Sequence, residues 1–119
     1  MIKLRRVLSE TVAVTKQGTV YSSPFRANEC AGTIALLIVS SAGSLTVTQQ
    51  CGLTEDGTFY DPVNAANSAL GAVCAAGFTV GSRFINLTPV VAPWLRLKMI
   101  EANVAATDVD LDIYEVIDN

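Results

Sequence analysis

An alternation of apolar and polar residues with a period of two constrains this chain more than any other feature. Residues 45–48 read LTVT, residues 95–99 read LRLKM and residues 108–113 read DVDLDI. Because successive side chains of a β-strand point to opposite faces of a sheet, each stretch predicts a strand with one buried face. Residues 33–40, TIALLIVS, form a near-continuous apolar run and predict a central strand that is buried on both faces.

Turn signals separate these runs and suggest which strands pair. Ser41-Ala42-Gly43 predicts a hairpin between 33–40 and 45–48, and Asp56-Gly57 marks a further turn. The loop 102–107 predicts a second hairpin between strands 94–101 and 108–117. That hairpin would place Arg96 and Lys98 on the same outward face as Asp110 and Asp112, where opposite charges stabilise the pairing.

The number and spacing of these stretches predict the fold class. About eight short strands with turns between them, and no convincing long helix, indicate an all-β fold in a single domain of residues 1–119. We expect an antiparallel β-sandwich or jelly roll. The Ala- and Gly-rich segment 63–82 fits neither period well, and predicts either a short helix near 64–70 or a long apolar loop against a neighbouring subunit.

The composition of the chain limits the classes of partner that we expect. Apolar residues make up 50% of the 119 residues and charged residues 16%, against a usual charged share of about 25%. A low charge favours a surface that is partly covered by a partner, although a surface of Ser, Thr, Asn and Gln is the alternative. Basic residues cluster only at Lys3, Arg5 and Arg6, so nucleic acid is not the expected partner. No apolar stretch has the length of a membrane span and no signal peptide is evident, so we expect synthesis in the cytoplasm.

The residues that most enzymes need are missing. The chain has no histidine, which removes the commonest general base and most zinc sites, and it has no glycine-rich phosphate loop. Cys30, Cys51 and Cys74 are odd in number and widely spaced, so no disulfide framework is predicted. We therefore expect a protein that is not an enzyme and needs no cofactor or metal.

Three groups of residues leave alternatives open. Asp108, Asp110 and Asp112 fit a calcium site or the acid pair of a glycosidase, but a solvated face paired with nearby bases explains them better. Aromatic side chains suggest either a sugar-stacking surface or packing in the core or an interface; they are Phe59, Tyr60 and Trp94. Arg5 and Arg6 fit either an arm that reaches an acidic partner or the solvated face of the first strand.

Two longer stretches carry a resemblance to a known class of proteins. Residues 44–62 read SLTVTQQCGLTEDGTFYDP and residues 84–99 read FINLTPVVAPWLRLKM, with YSSPF at 21–25. These stretches resemble small virion proteins of tailed bacteriophages, and are most similar to capsid decoration (cement) proteins. The resemblance implies a β-sandwich accessory protein in the virion, without a cofactor, that forms a small homo-oligomer such as a dimer or trimer. It also implies the major capsid protein or another virion protein as partner.

A tail or head–tail structural component fits the same motifs nearly as well, and a carbohydrate-binding β-module is the further alternative. Under each alternative the chain acts by binding, without nucleic acid or membrane. The candidate interface residues are Trp94, Phe59, Tyr60, Ala69, Leu70, Val73, Phe78, Arg5 and Arg6.

Overall fold

The strands of the protein form two antiparallel sheets, as seen in a computed structural model. The structure describes residues 3–14, 18–26, 34–40, 45–67, 81–87, 92–101 and 107–117. These residues contain the strands β1 (Lys3–Val14), β2 (Thr19–Tyr21), β3 (Phe25–Arg26), β4 (Ile34–Ser40), β5 (Leu45–Gly52), β6 (Gly81–Asn86), β7 (Trp94–Glu101) and β8 (Thr107–Ile117).

The two sheets divide the strands between them. Sheet A has the order β1-β8-β4-β6. In sheet B, β7 pairs with β5 along its whole length and with β2 and then β3 along its other edge. Except for the step from β2 to β3, each strand lies in the opposite sheet from the strand before it.

This alternation between sheets is the strand order of a jelly roll. Beside β5, at the outer side of sheet B, Tyr60 pairs with Cys51 in a single bridge. This bridge lies where a jelly roll has a further strand. The predicted antiparallel β-sandwich of about eight short strands is therefore confirmed.

Both predicted hairpins are wrong. β4 pairs with β6 and β8 in sheet A, whereas β5 pairs with β7 in sheet B. β7 and β8 likewise lie in different sheets, so Arg96 and Lys98 do not face the aspartates of β8. An alternating strand reveals which of its side chains are buried but not which strand lies beside it, and consecutive strands that cross the sandwich keep the same alternation.

The core lies between the inner faces of the sheets. Its buried apolar side chains are Val14, Phe25, Ile34, Leu36, Ile38, Leu45, Val47, Leu87, Leu95, Leu97, Met99, Val109, Leu111 and Ile113. The strand β4 is central as predicted, but it is not buried on both faces. Its outward side chains Ala35, Leu37 and Val39 are only half-buried.

A bulge in β1 changes which side chains face inward. Arg5 pairs with Glu115 and Leu8 pairs with Ile113, so the register shifts at Val7. One extra residue in a strand moves the following side chains to the other face. Leu4 and Leu8 therefore lie on opposite faces, contrary to the simple alternation that the sequence suggests.

Ser22 joins β2 to β3 along the edge of β7. The Ser22 N–H donates to the Leu97 carbonyl at 2.9 Å, and the Leu97 N–H donates to Ser22 Oγ at 2.9 Å. The hydroxyl thus accepts the hydrogen bond that a backbone carbonyl would otherwise accept. Beside it, the Glu10 carboxylate of β1 accepts the Ser23 N–H at 2.7 Å and the Ser23 hydroxyl at 2.8 Å, which ties the two sheets together.

Substitution Ser22→Ala is expected to lower the free energy of unfolding by about 1–3 kcal/mol, because the buried Leu97 N–H loses its acceptor. The matched control is Ser9→Ala, which removes an exposed hydroxyl bonded to Asp112. Water replaces that bond, so the loss should stay below about 1 kcal/mol. Urea unfolding of the two variants measures both, and equal losses would contradict the role assigned to Ser22.

Candidate interaction surfaces

The outward side of sheet B carries cations and aromatic rings. We call this surface the cationic face; its strand residues are Thr19, Tyr21, Arg26, Thr46, Thr48, Gln50, Gly52, Trp94, Arg96, Lys98 and Ile100. Their inward neighbours on β7 are the fully buried Leu95, Leu97 and Met99, which fixes the outward direction of the others. These strand positions hold three cations and no acid.

Arg96 lies at the centre of the cationic face between two aromatic rings. Its guanidinium carbon is 3.9 Å from the centroid of Tyr21 and 4.7 Å from that of Phe59. Its Nε donates to Gln50 Oε1 at 2.8 Å, and Gln50 Nε2 donates to Asp61 Oδ1 at 3.0 Å. Cation–π contacts and hydrogen bonds therefore hold the guanidinium in one orientation.

Gly52 allows Phe59 to reach this position. A Cβ at Gly52 would lie 3.0 Å from the Thr58 carbonyl oxygen and 3.3 Å from the Phe59 ring. A side chain at this position would crowd the segment that folds back over the end of the sheet after β5, so the close approach favours glycine here. The predicted site residues Phe59 and Trp94 both lie on or against the cationic face.

A second surface is apolar and lies on the segment that leaves β5. We call residues 53–63 the apolar loop, because Leu53, Tyr60 and Val63 expose 79%, 66% and 46% of their surface. A groove of about 490 Å³ runs beside it, lined among others by Leu53, Tyr60 and Ala92. The predicted interface residue Tyr60 is thus exposed next to other apolar side chains.

Backbone hydrogen bonds fix the apolar loop to the sandwich. Tyr60 N–H donates to the Cys51 carbonyl at 2.8 Å, and Cys51 N–H donates to the Tyr60 carbonyl at 2.9 Å. Asn64 closes a turn after the loop, since its side-chain oxygen accepts the Ala66 N–H at 2.9 Å. Burial, and secondarily the nearby Asp61 carboxylate, raise the pKa of the half-buried Cys51 thiol.

The outward side of sheet A carries the aspartate row. We call this surface the acidic face; its residues are Arg6, Ser9, Thr11, Ala13, Ala35, Leu37, Val39, Ser82, Phe84, Asn86, Asp108, Asp110, Asp112 and Tyr114. Thr11 Oγ1 donates to Asp110 at 2.7 Å and Ser9 Oγ donates to Asp112 at 2.6 Å. Hydroxyls of β1 thus bind the carboxylates that were expected to face Arg96 and Lys98.

Arg5 and Arg6 belong to β1 and do not form a separate arm. Arg5 pairs with the mostly buried Glu115 carboxylate. Arg6 lies over the Tyr114 ring, 5.7 Å from its centroid, and its Nε is 3.9 Å from Asp112. Arg6 Nη2 donates a hydrogen bond to the Tyr114 hydroxyl at 3.4 Å, and this bond together with the Asp112 charge raises the pKa of Arg6. Both arginines thus lie in the first strand, but on opposite sides of sheet A, and do not share one solvated face.

Sequence reasoning missed Phe84. This ring is 67% exposed on the outward side of β6, where it pairs across the sheet with Leu37. Its same-face neighbours on β6, Ser82 and Asn86, are polar, and the apolar partner comes from a distant strand. The candidates Ala69, Leu70, Val73 and Phe78 lie outside the described residues, as does most of the segment 63–82.

Two features are absent from the described part of the chain. No group of three or more His, Cys, Asp or Glu side chains there is arranged to hold a metal ion. Within the same ranges, no helix has the length and hydropathy needed to cross a membrane.

Comparison with known proteins gives likenesses of structure but not of sequence. No protein-family model matches the chain. No curated protein sequence matches it either. The fold is similar to the crystal structure of the Yersinia pseudotuberculosis-derived mitogen, at a TM-score of 0.46 and 11% identity, over 95% of this chain and 87% of that chain. At this TM-score the likeness carries no argument about function.

Substitution Arg96→Lys is expected to lower the free energy of unfolding by about 1–2 kcal/mol, because an ammonium group cannot stack flat between Tyr21 and Phe59. The matched control Arg26→Lys, at an exposed position of the same face, should stay within about 0.5 kcal/mol. Chemical denaturation measures both. A smaller effect at Arg96 than at Arg26 would contradict the importance of the stack.

Proposed function

We propose that this chain is a non-enzymatic structural protein of a bacteriophage virion, acting as a capsid decoration protein that stabilises the shell by protein–protein contacts. The observation that carries the proposal is the apolar loop, where three large apolar side chains are exposed within eleven residues. Leu53 and Tyr60 line one groove, and exposed apolar surface of this kind is typical of a protein that buries it against a partner. The motif resemblance in residues 44–62, which include most of this loop, supports a virion protein as the partner.

The fixed conformation of the apolar loop favours binding. The Cys51–Tyr60 bridge and the Gln50–Asp61 hydrogen bond hold the loop before any partner arrives. Binding therefore costs little conformational entropy at this surface. Tyr60 beside a groove is also the kind of aromatic anchor that contributes most to interface energies.

Quantitative mass spectrometry of purified particles tests the location of the protein. A copy number comparable with that of the major shell protein is expected, because a decoration protein binds repeated sites across the shell. A few copies per particle would instead indicate the tail or the head–tail joint. Absence from the particles would overturn the virion proposal.

Substitution Leu53→Asp tests the apolar loop as the contact surface. Binding of the purified chain to particles that lack it should weaken at least tenfold, because a carboxylate would be desolvated in the contact. The matched control is Leu4→Asp, at a side chain that is 51% exposed on β1. Equal binding by the two variants, measured by co-sedimentation, would show that the loop is not the contact.

A carbohydrate-binding module remains the second candidate because of the cationic face. Tyr21 is 42% exposed there, and Trp94 lies on the same face as the polar Gln50. Aromatic rings beside hydrogen-bonding groups suit sugar recognition. A glycan array with the purified chain tests this, with Tyr21→Ala as the variant that should lose any signal. No signal from the unmodified chain would exclude the module.

A further inference from the structure

We propose that copies of this chain associate head to tail, with the acidic face of one copy against the cationic face of the next. This association is a property of the chain itself and does not depend on the proposed place in a virion. The two surfaces are the outward sides of sheets A and B, as defined above.

The argument begins with the segregation of charge. The acidic face holds three aspartates and one arginine, which gives a net charge of −2. The cationic face holds Arg26, Arg96 and Lys98, and the Asp61 carboxylate bound at its edge brings its net charge to +2. The net charge of −3 for the whole chain conceals two faces of equal and opposite charge.

The two faces cannot neutralise each other within one molecule. They lie on opposite sides of a sandwich whose sheets are about 10 Å apart, with the buried core between them. Exposed charges separated by more than the screening length of about 8 Å at physiological ionic strength interact little. Their attraction is therefore available to a second copy.

Both faces also contain apolar side chains. The acidic face includes the exposed Phe84 next to Leu37, and the cationic face includes the half-buried Trp94 and Ile100. A contact between the faces would bury these groups together with the opposite charges. Such mixed surfaces allow apolar burial to supply affinity while charge fixes orientation.

The symmetry of this contact follows from its geometry. Each copy uses two different surfaces, so the contact is heterologous and produces either a closed ring or an open stack. A two-fold dimer would instead place like charges against each other. Second copies are favoured over an unrelated partner because one chain supplies both complementary faces.

A charge exchange tests the proposal in sedimentation velocity experiments at low ionic strength. The first variant, Arg26→Glu with Lys98→Glu, has two acidic faces. The second, Asp108→Lys with Asp110→Lys, has two basic faces. Each variant alone should associate at least tenfold more weakly than the unmodified chain, and an equimolar mixture should restore association.

Two controls accompany this experiment: the salt concentration is varied, and the folding of each variant is checked. Association of the unmodified chain should weaken as salt rises, because screening reduces attraction between exposed charges. If a variant fails to fold by circular dichroism, Lys98→Ala and Asp110→Ala replace the exchange, and each should weaken association alone. An unmodified chain that stays monomeric at low salt, or a mixture that does not recover association, would overturn the proposal.

Discussion

Contact between the inner faces of the two sheets holds every other feature in place. Leu95, Leu97 and Met99 of β7 are fully buried, and so are the inward apolar side chains of β4 and β8 on the facing sheet. Burial of one such side chain contributes about 1.5–3 kcal/mol, so a few of them outweigh any surface interaction in this protein. Because successive side chains of a strand point to opposite faces, packing of the inward side chains also determines which residues face outward. The cationic and acidic faces are thus by-products of a well-buried interior.

The sequence predicted the strands and the direction of their side chains better than it predicted which strands pair. The strand 94–101 was placed at its observed bounds, and the aspartates of 108–112 were correctly assigned to an outward face. The pairing of strands was wrong because a hairpin and a crossing between sheets bury the same side chains. Turn residues at 41–43 and 102–107 do not discriminate between these connections. The bulge at Val7 escaped detection for a related reason, since one extra residue leaves no mark on composition.

Some of the residues on the candidate surfaces were identified from the sequence, and others were missed. Phe59, Tyr60 and Trp94 were identified because aromatic side chains suit a sugar-stacking surface or an interface, and all three lie on the surfaces described above. Tyr21, Gln50 and Arg96 were missed because they are separated by 75 residues of chain and meet only after the sheet forms. An arginine between two rings has no local signature. Only a correct strand register would have revealed it.

The interruption between β2 and β3 has a consequence for solubility. At the outer edge of sheet B, Ser22 and Pro24 break what would otherwise be one continuous strand, and a hydroxyl takes the place of a carbonyl. A long unbroken edge presents a row of backbone donors and acceptors that recruits strands from other molecules. Two pieces of three and two residues offer no such row. This edge therefore resists the unordered β-sheet growth that leads to fibrils.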